Sequence, residues 1–202
     1  MDRRHALAAI AAFAALPLAP RPALAQAVDV SAIDAYLRSL RSAEGAFRQT
    51  NPNGSVQTGR FYLAKPGRIR FEYDTPKGAM VIADGVNVAV FDPKSTRVSS
   101  RYPLGRTPLG LLLRDNLSLR EPGMVQGATQ DARGVHVTVV DPRAPAEGRL
   151  ILTFAGQPPR LAQWVVVTKA GQRTAVAVTD LETGAALDRS LFNIELAEAR
   201  QR

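Results

Sequence analysis

Apolar positions at Val30, Ile33, Leu37 and Leu40 recur at helical spacing, and Asp34, Arg38 and Arg41 occupy the opposite face. Ser31 precedes this run with Asp34 three residues on, which resembles a capping signature, and Gly45 ends the pattern. One amphipathic helix is therefore predicted first, lying with its apolar stripe on something else. The remainder reads as strand and turn. Ser55 to Ala64 runs into Lys65-Pro66-Gly67. In Arg68 to Tyr73, Ile69, Phe71 and Tyr73 alternate with Arg68, Arg70 and Glu72. Met80 to Ala83 and Val86 to Phe91 flank Asp84-Gly85, a dipeptide suited to tight hairpins because both positions tolerate positive φ. Further strands are predicted at 96–100, 134–140, 149–155, 161–168 and 173–182, with a last short one near 191–194. Short strands with regular turns predict a mainly β chain, an antiparallel meander or barrel with a few helices.

One segment departs from that rhythm. Thr107-Pro108 opens Leu109-Gly110-Leu111-Leu112-Leu113-Arg114, with a capping residue and Pro at the first helical position. The predicted short helix is apolar on nearly every side, so it is either buried or covers something apolar.

The N-terminus changes the picture of the mature chain. Arg3 and Arg4 precede an uncharged apolar run from Ala6 to Leu18, and Ala23-Leu24-Ala25 has the small-x-small pattern of a cleavage site. Residues 1–25 are expected to be a signal segment cut after Ala25, by a general secretory or twin-arginine route. The expected product is a single domain over 26–202, a periplasmic monomer. Its removal leaves 23 basic and 17 acidic residues, about +6 instead of +8.

Composition then narrows the chemistry. The chain has no Cys, so disulfides, thiolate metal sites and a Cys nucleophile are excluded. It has two His, and His5 falls in the signal segment, so a site built from several His ligands is excluded as well. No Gly-x-Ser-x-Gly elbow, His-Glu-x-x-His pair or phosphate-binding Gly loop occurs. His136 alternates with Val135 and Val137 and reads as a solvent-facing strand residue; Asp84 reads as a hairpin residue. No cofactor, metal or catalytic residue is expected. The basic residues, 22 Arg among 26, are scattered without a run of three, so no nucleic-acid partner is expected.

The informative feature is one apolar sheet face: Phe61, Leu63, Ile69, Phe71 and Tyr73, extended by Met80, Ile82, Val88 and Val90, with Lys65 on the same parity. Such a face fits an ordinary packed core. It fits equally a half-barrel closing around an apolar ligand, with 107–114 as its lid.

A resemblance bears on that choice. Phe47-Arg48-Gln49-Thr50, Gly59 to Tyr73, Ala83-Asp84-Gly85, Phe91-Asp92-Pro93 and Thr107-Pro108-Leu109 before Leu-Leu-Leu stand in an order and spacing that resembles the LolA family of periplasmic outer-membrane lipoprotein carriers. The resemblance implies an open, unclosed antiparallel barrel of about eleven strands, its mouth covered by the N-terminal helix and the Leu-rich lid. It implies a chaperone that binds acylated lipoprotein in an apolar cavity. The cargo is taken from an inner-membrane ABC exporter and given to an outer-membrane receptor. On that reading Phe47 joins the nine sheet residues as cavity lining, and Leu109, Leu111, Leu112 and Leu113 form the lid. In the family an Arg before a Pro bonds the lid backbone; Lys65 stands at that position here, with Arg68 and Arg70 as substitutes in closing the lid. Two rivals remain beside it: a general exported binder of lipids, and an exported enzyme using His136.

Overall fold

A computed structural model describes residues 29–201. The expected signal segment and its cleavage point lie outside the described residues. The first helix, α1 (Ser31–Ser39), buries Ile33 and Leu37 as its stripe predicts. Ser31 does not cap it with its side chain; the Ser31 N–H donates to the Asp29 carboxylate at 2.8 Å. Asp34, expected on the polar face, is buried as well. It borders the apolar stripe, and residues 118–120 cross over it.

The strands are β1 (Ser42–Thr50), β2 (Val56–Ala64), β3 (Arg68–Tyr73), β4 (Met80–Asp84), β5 (Asn87–Phe91) and β6 (Ser100–Pro103), then β7 (Val125–Asp131), β8 (Gly134–Val139), β9 (Gly148–Ala155), β10 (Arg160–Thr168) and β11 (Arg173–Thr183). They form one eleven-stranded sheet in the order β6-β5-β4-β3-β2-β1-β11-β10-β9-β8-β7. Every pairing is antiparallel, and β6 and β7 are left as two unjoined edges, so the barrel is open. Two meanders thus meet at the β1–β11 seam.

Four departures from the sequence reading are physical. Gly45 does not terminate a helix but lies in β1, where a Cβ would fall 1.5 Å from the Asp180 carbonyl oxygen; a register shift follows at Ala46/Phe47. The strand expected at 96–100 begins only at Ser100, and β7 occupies a polar stretch that carries no apolar alternation. The strand expected near 191–194 is instead a 3-10 turn, Arg189–Phe192, followed by α3 (Ile194–Gln201).

The sheet is strongly curled. Phe71 on β3 and Trp164 on β10 stand four strands apart in the sheet order, roughly 19 Å at the usual strand spacing. Their ring centroids are nevertheless 6.1 Å apart, and Phe61 on β2 meets Trp164 edge-on at 6.0 Å. The concave face packs against α1 and against α2 (Leu109–Leu112), the short helix in the 104–124 connection. The convex side carries a second, smaller core: Ile82, Ala89 and Phe91, covered by Ile194 and Ala197 of α3.

Candidate functional site

The concave side divides by depth. Phe47, Phe61, Leu63 and Ile69 are all at most 2% exposed and pack with Leu37, Leu111, Leu112 and Leu113 in one cluster. These side chains are close-packed, each aromatic or aliphatic contributing about 1.5–3 kcal/mol by its burial. Nearer the rim the packing gives way to a cavity of about 710 Å³. Phe71, Tyr73, Val88 and Val90, all expected there, line it. So does Leu109, the one lid leucine that is not buried in the core.

Met80 and Ile82 do not face this cavity. Val81 pairs with Val90 and Ala83 with Val88 on the concave side, which turns Ile82 and Met80 to the convex core beneath α3. The Met80-Val81-Ile82-Ala83 run is apolar on both faces, so alternation does not tell which parity looks inward. The far wall was missed altogether. Trp164 and Val166 of β10 and Val176 of β11 line it, and their period-2 spacing was a readable signal. Their neighbours Val165 and Val167 carry the same residue type on the other face, which obscures it.

Two polar groups of the wall pair with each other. The Tyr73 hydroxyl donates to Gln49 Oε1 at 2.9 Å, and burial pushes its phenol up to about 12, so it stays a neutral donor. Gln49 Nε2 donates in turn to Asn51 Oδ1 at 2.6 Å.

The cover is held from one turn. α2 spans four residues, shorter than the 107–114 expected, and Thr107 does not cap it; its hydroxyl donates to the Leu104 carbonyl at 2.8 Å. The N–H of Gly67 donates to the Leu113 carbonyl at the end of α2, also at 2.8 Å. Lys65, two residues earlier, is 7% exposed and its Nζ donates to the Leu37 carbonyl of α1 at 3.0 Å. The side chain expected to bond the Leu-rich helix thus bonds the N-terminal helix. Burial, then repulsion from Arg41, lowers the Lys65 ammonium to about 8 against a partial counter-effect from Asp115.

Arg68 and Arg70 are turned away from the lid by strand alternation. Arg68 lies over the Phe192 ring at 5.9 Å. Arg70 donates to Glu72 at 2.7 Å and to the Leu191 carbonyl at 3.0 Å. Both hold the C-terminal segment on the convex side. His136 is also on that side, bonded through Nδ1 to Thr153 Oγ1 at 3.0 Å and through Nε2 to Asp131 at 2.8 Å. Hydrogen bonds from Arg133, then from His136, hold the Asp131 carboxyl well below the usual range. No group of three or more acidic or His side chains placed to hold a metal ion occurs among the described residues.

Comparison with known proteins identifies a family. The family model described as outer membrane lipoprotein carrier protein LolA matches residues 38–195. An outer-membrane lipoprotein carrier protein of Chromohalobacter salexigens is 32% identical over 94% of this chain and 92% of its own. One from Leptothrix cholodnii is 29% identical over 83% of this chain and 82% of its own. Among solved structures, a LolA superfamily protein of Nitrosomonas europaea covers 84% of this chain and 99% of its own at 13% identity, with a TM-score of 0.39.

Proposed function

We propose, from the premise that this chain belongs to the LolA family of outer-membrane lipoprotein carrier proteins, that its cavity holds the acyl chains of a lipoprotein in transit across the periplasm. The observation that carries this reading is the cavity itself: about 710 Å³ left open in a wall of Phe71, Val81, Val88, Val90, Trp164 and Val166. An apolar wall that does not close on itself is costly unless something apolar fills it. Each buried CH₂ is worth about 0.8 kcal/mol, so an acyl chain leaving a membrane needs an equivalent site while it is in water. Transfer of this kind makes and breaks no covalent bond, and no catalytic residue is assigned. The cargo comes from an inner-membrane ABC exporter and goes to an outer-membrane receptor. α2 lies over the mouth and presents Leu109 to the chains.

A second reading has its own support. The cavity falls within the ~300–1,000 Å³ usual for a single small ligand, which suits a general carrier of free lipid. The third reading, catalysis at His136, has less: both ring nitrogens are engaged, and the ring lies on the opposite side of the sheet from the cavity.

The test is native mass spectrometry of the protein recovered from its own periplasm, beside a Val166→Glu variant. Acylated lipoprotein bound to the parent and lost from the variant supports the carrier reading. Free lipid alone in the parent supports the second. A parent with neither ligand, and no uptake of acylated lipoprotein added in vitro, would refute both.

A further inference from the structure

The apolar wall of the cavity ends in a compact polar rim built from three separate elements. Arg106 precedes α2, Glu147 precedes β9, Thr168 ends β10 and Lys169 follows it; all four line the same cavity. The backbone brings them together. Gly148 pairs with Thr168 across β9 and β10, and a Cβ on Gly148 would come within 3.1 Å of the Pro108 ring. The side chains of Arg106 and Lys169 are exposed and make no hydrogen bond or ion pair among the described residues, and the Glu147 carboxylate makes none either. The Thr168 hydroxyl is buried and lacks a partner among the described residues. A buried hydroxyl without a partner is uncommon, and each case asks for an explanation.

We propose that this rim is a headgroup site, in which Arg106 and Lys169 hold the anionic head of a lipid whose chain lies in the cavity and Thr168 bonds the adjoining oxygen. The ligand class is an acyl chain bearing a phosphate or a carboxylate. This rests on the reading that the cavity holds acyl chains. The charge balance of the rim, two cations against one carboxylate, is what selects the anion. A cationic head would meet Arg106 and Lys169 with nothing but Glu147 to favour it, and a neutral sugar head would leave both cations uncompensated. Arg106 presents a planar fork suited to two oxygens of one phosphate or carboxylate, and Lys169 a point charge that follows either. Because Arg106 is joined to α2 through Thr107 and Pro108, a bound head also touches the cover of the cavity, not only its floor.

The experiment uses the mature chain and four twelve-carbon amphiphiles at concentrations below their micelle points: dodecyl phosphate, laurate, dodecyl maltoside and dodecyltrimethylammonium. Tryptophan fluorescence reads binding, since Trp164 lies in the wall. The Arg106→Gln/Lys169→Gln double variant is expected to lose about three- to tenfold in affinity for dodecyl phosphate or laurate, as two exposed charge contacts imply. Its affinity for dodecyl maltoside should change less than twofold. Glu147→Gln should strengthen binding of the anions. The parent's preference for anions should fade as salt is raised. A loss confined to laurate assigns free fatty acids; a loss for dodecyl phosphate, with or without laurate, assigns a phospholipid head. An equal loss for the maltoside, or no loss for either anion, overturns the headgroup site while leaving the cavity reading intact. Failure of all four amphiphiles to bind the parent overturns the cavity reading and this site with it.

Discussion

The ammonium of Lys65 donates to the carbonyl of Leu37 at 3.0 Å, so a residue of the β2–β3 turn closes the C-terminal end of the first helix. Leu37 belongs to the last turn of α1, whose carbonyls have no partner within the helix. A cation there also faces the negative end of the helix dipole. Lys65→Met removes that donor and is expected to cost about 1–3 kcal/mol at neutral pH, offset in part because a charge no longer has to be buried.

The same pair gives a pH signature. Lys65 is lowered to about 8 in the folded chain from 10.5 when unfolded, so between those values the unfolded chain holds the proton and the folded one does not. Stability from this group therefore rises with pH across about 8 to 10.5. Tyr73, raised to about 12, acts in the opposite sense above pH 10, where only the unfolded chain ionises. Urea titrations of parent and Lys65→Met at pH 7, 8.5 and 9.5 should show the parent gaining relative to the variant. Parallel curves would mean that Lys65 titrates normally.

Asp34 is the anchor of the 117–121 crossing. Its carboxylate accepts from the Leu119 N–H at 2.7 Å and Ser118 Oγ at 3.2 Å, with Arg38 at 2.6 Å and Arg120 at 3.6 Å beside it. Asp34→Ala leaves the buried Leu119 N–H unpaired and should cost about 2–3 kcal/mol. Hydrogen exchange should show the Leu119 amide losing protection before the strands do. Unchanged protection at Leu119 would show that the crossing is held by its leucines alone.

Depth in the concave face predicts opposite responses to substitution. Phe61→Ala should cost about 3–5 kcal/mol, and Ile69→Glu should unfold the chain, because both positions are close-packed. Val90→Glu should leave circular dichroism and melting close to the parent while abolishing uptake of an apolar fluorescent probe, because Val90 lines the cavity and is 36% exposed. A folded Ile69→Glu protein would place open space deeper than the geometry does.

The convex core should respond independently. Ile194 is fully buried against Ile82 and Phe91, and Arg101 ties α3 down through Glu195 at 3.0 Å and Glu198 at 2.8 Å. Ile194→Ala is expected to cost about 2–4 kcal/mol without altering probe uptake. Loss of uptake at matched stability would reveal coupling through the sheet.

What could be read from the chain followed how strongly each element patterns. Ile69, Phe71 and Tyr73 against Arg68, Arg70 and Glu72 placed β3 and its inward face correctly. β1 escaped because its inward positions include Ala43, a single methyl group, and Gly45, which has no side chain, and neither registers as an apolar position. Met80 and Ile82 went to the wrong face because α3 makes the convex side of β4 as apolar as the concave side. Asp34 was assigned to solvent because a helical wheel cannot show that a loop some 85 residues on returns to cover it. Lys65 was placed inside correctly by parity, but its acceptor was set by tertiary packing of α1, which no local pattern encodes.

The β1–β11 seam joins Phe47 to Val178, on strands at the middle of the sheet that are the first and last in sequence. The two meanders on either side are built from neighbouring hairpins and close small loops; the seam closes a loop of about 130 residues, which slows folding far more than it weakens the product. A chain emerging N-terminus first has β1 in hand almost from the start and must keep its inner edge unpaired until nearly everything else has followed. During that interval the molecule is two half-sheets on one string, and Glu44 and Arg48 are the full charges on that waiting edge that discourage a wrong partner.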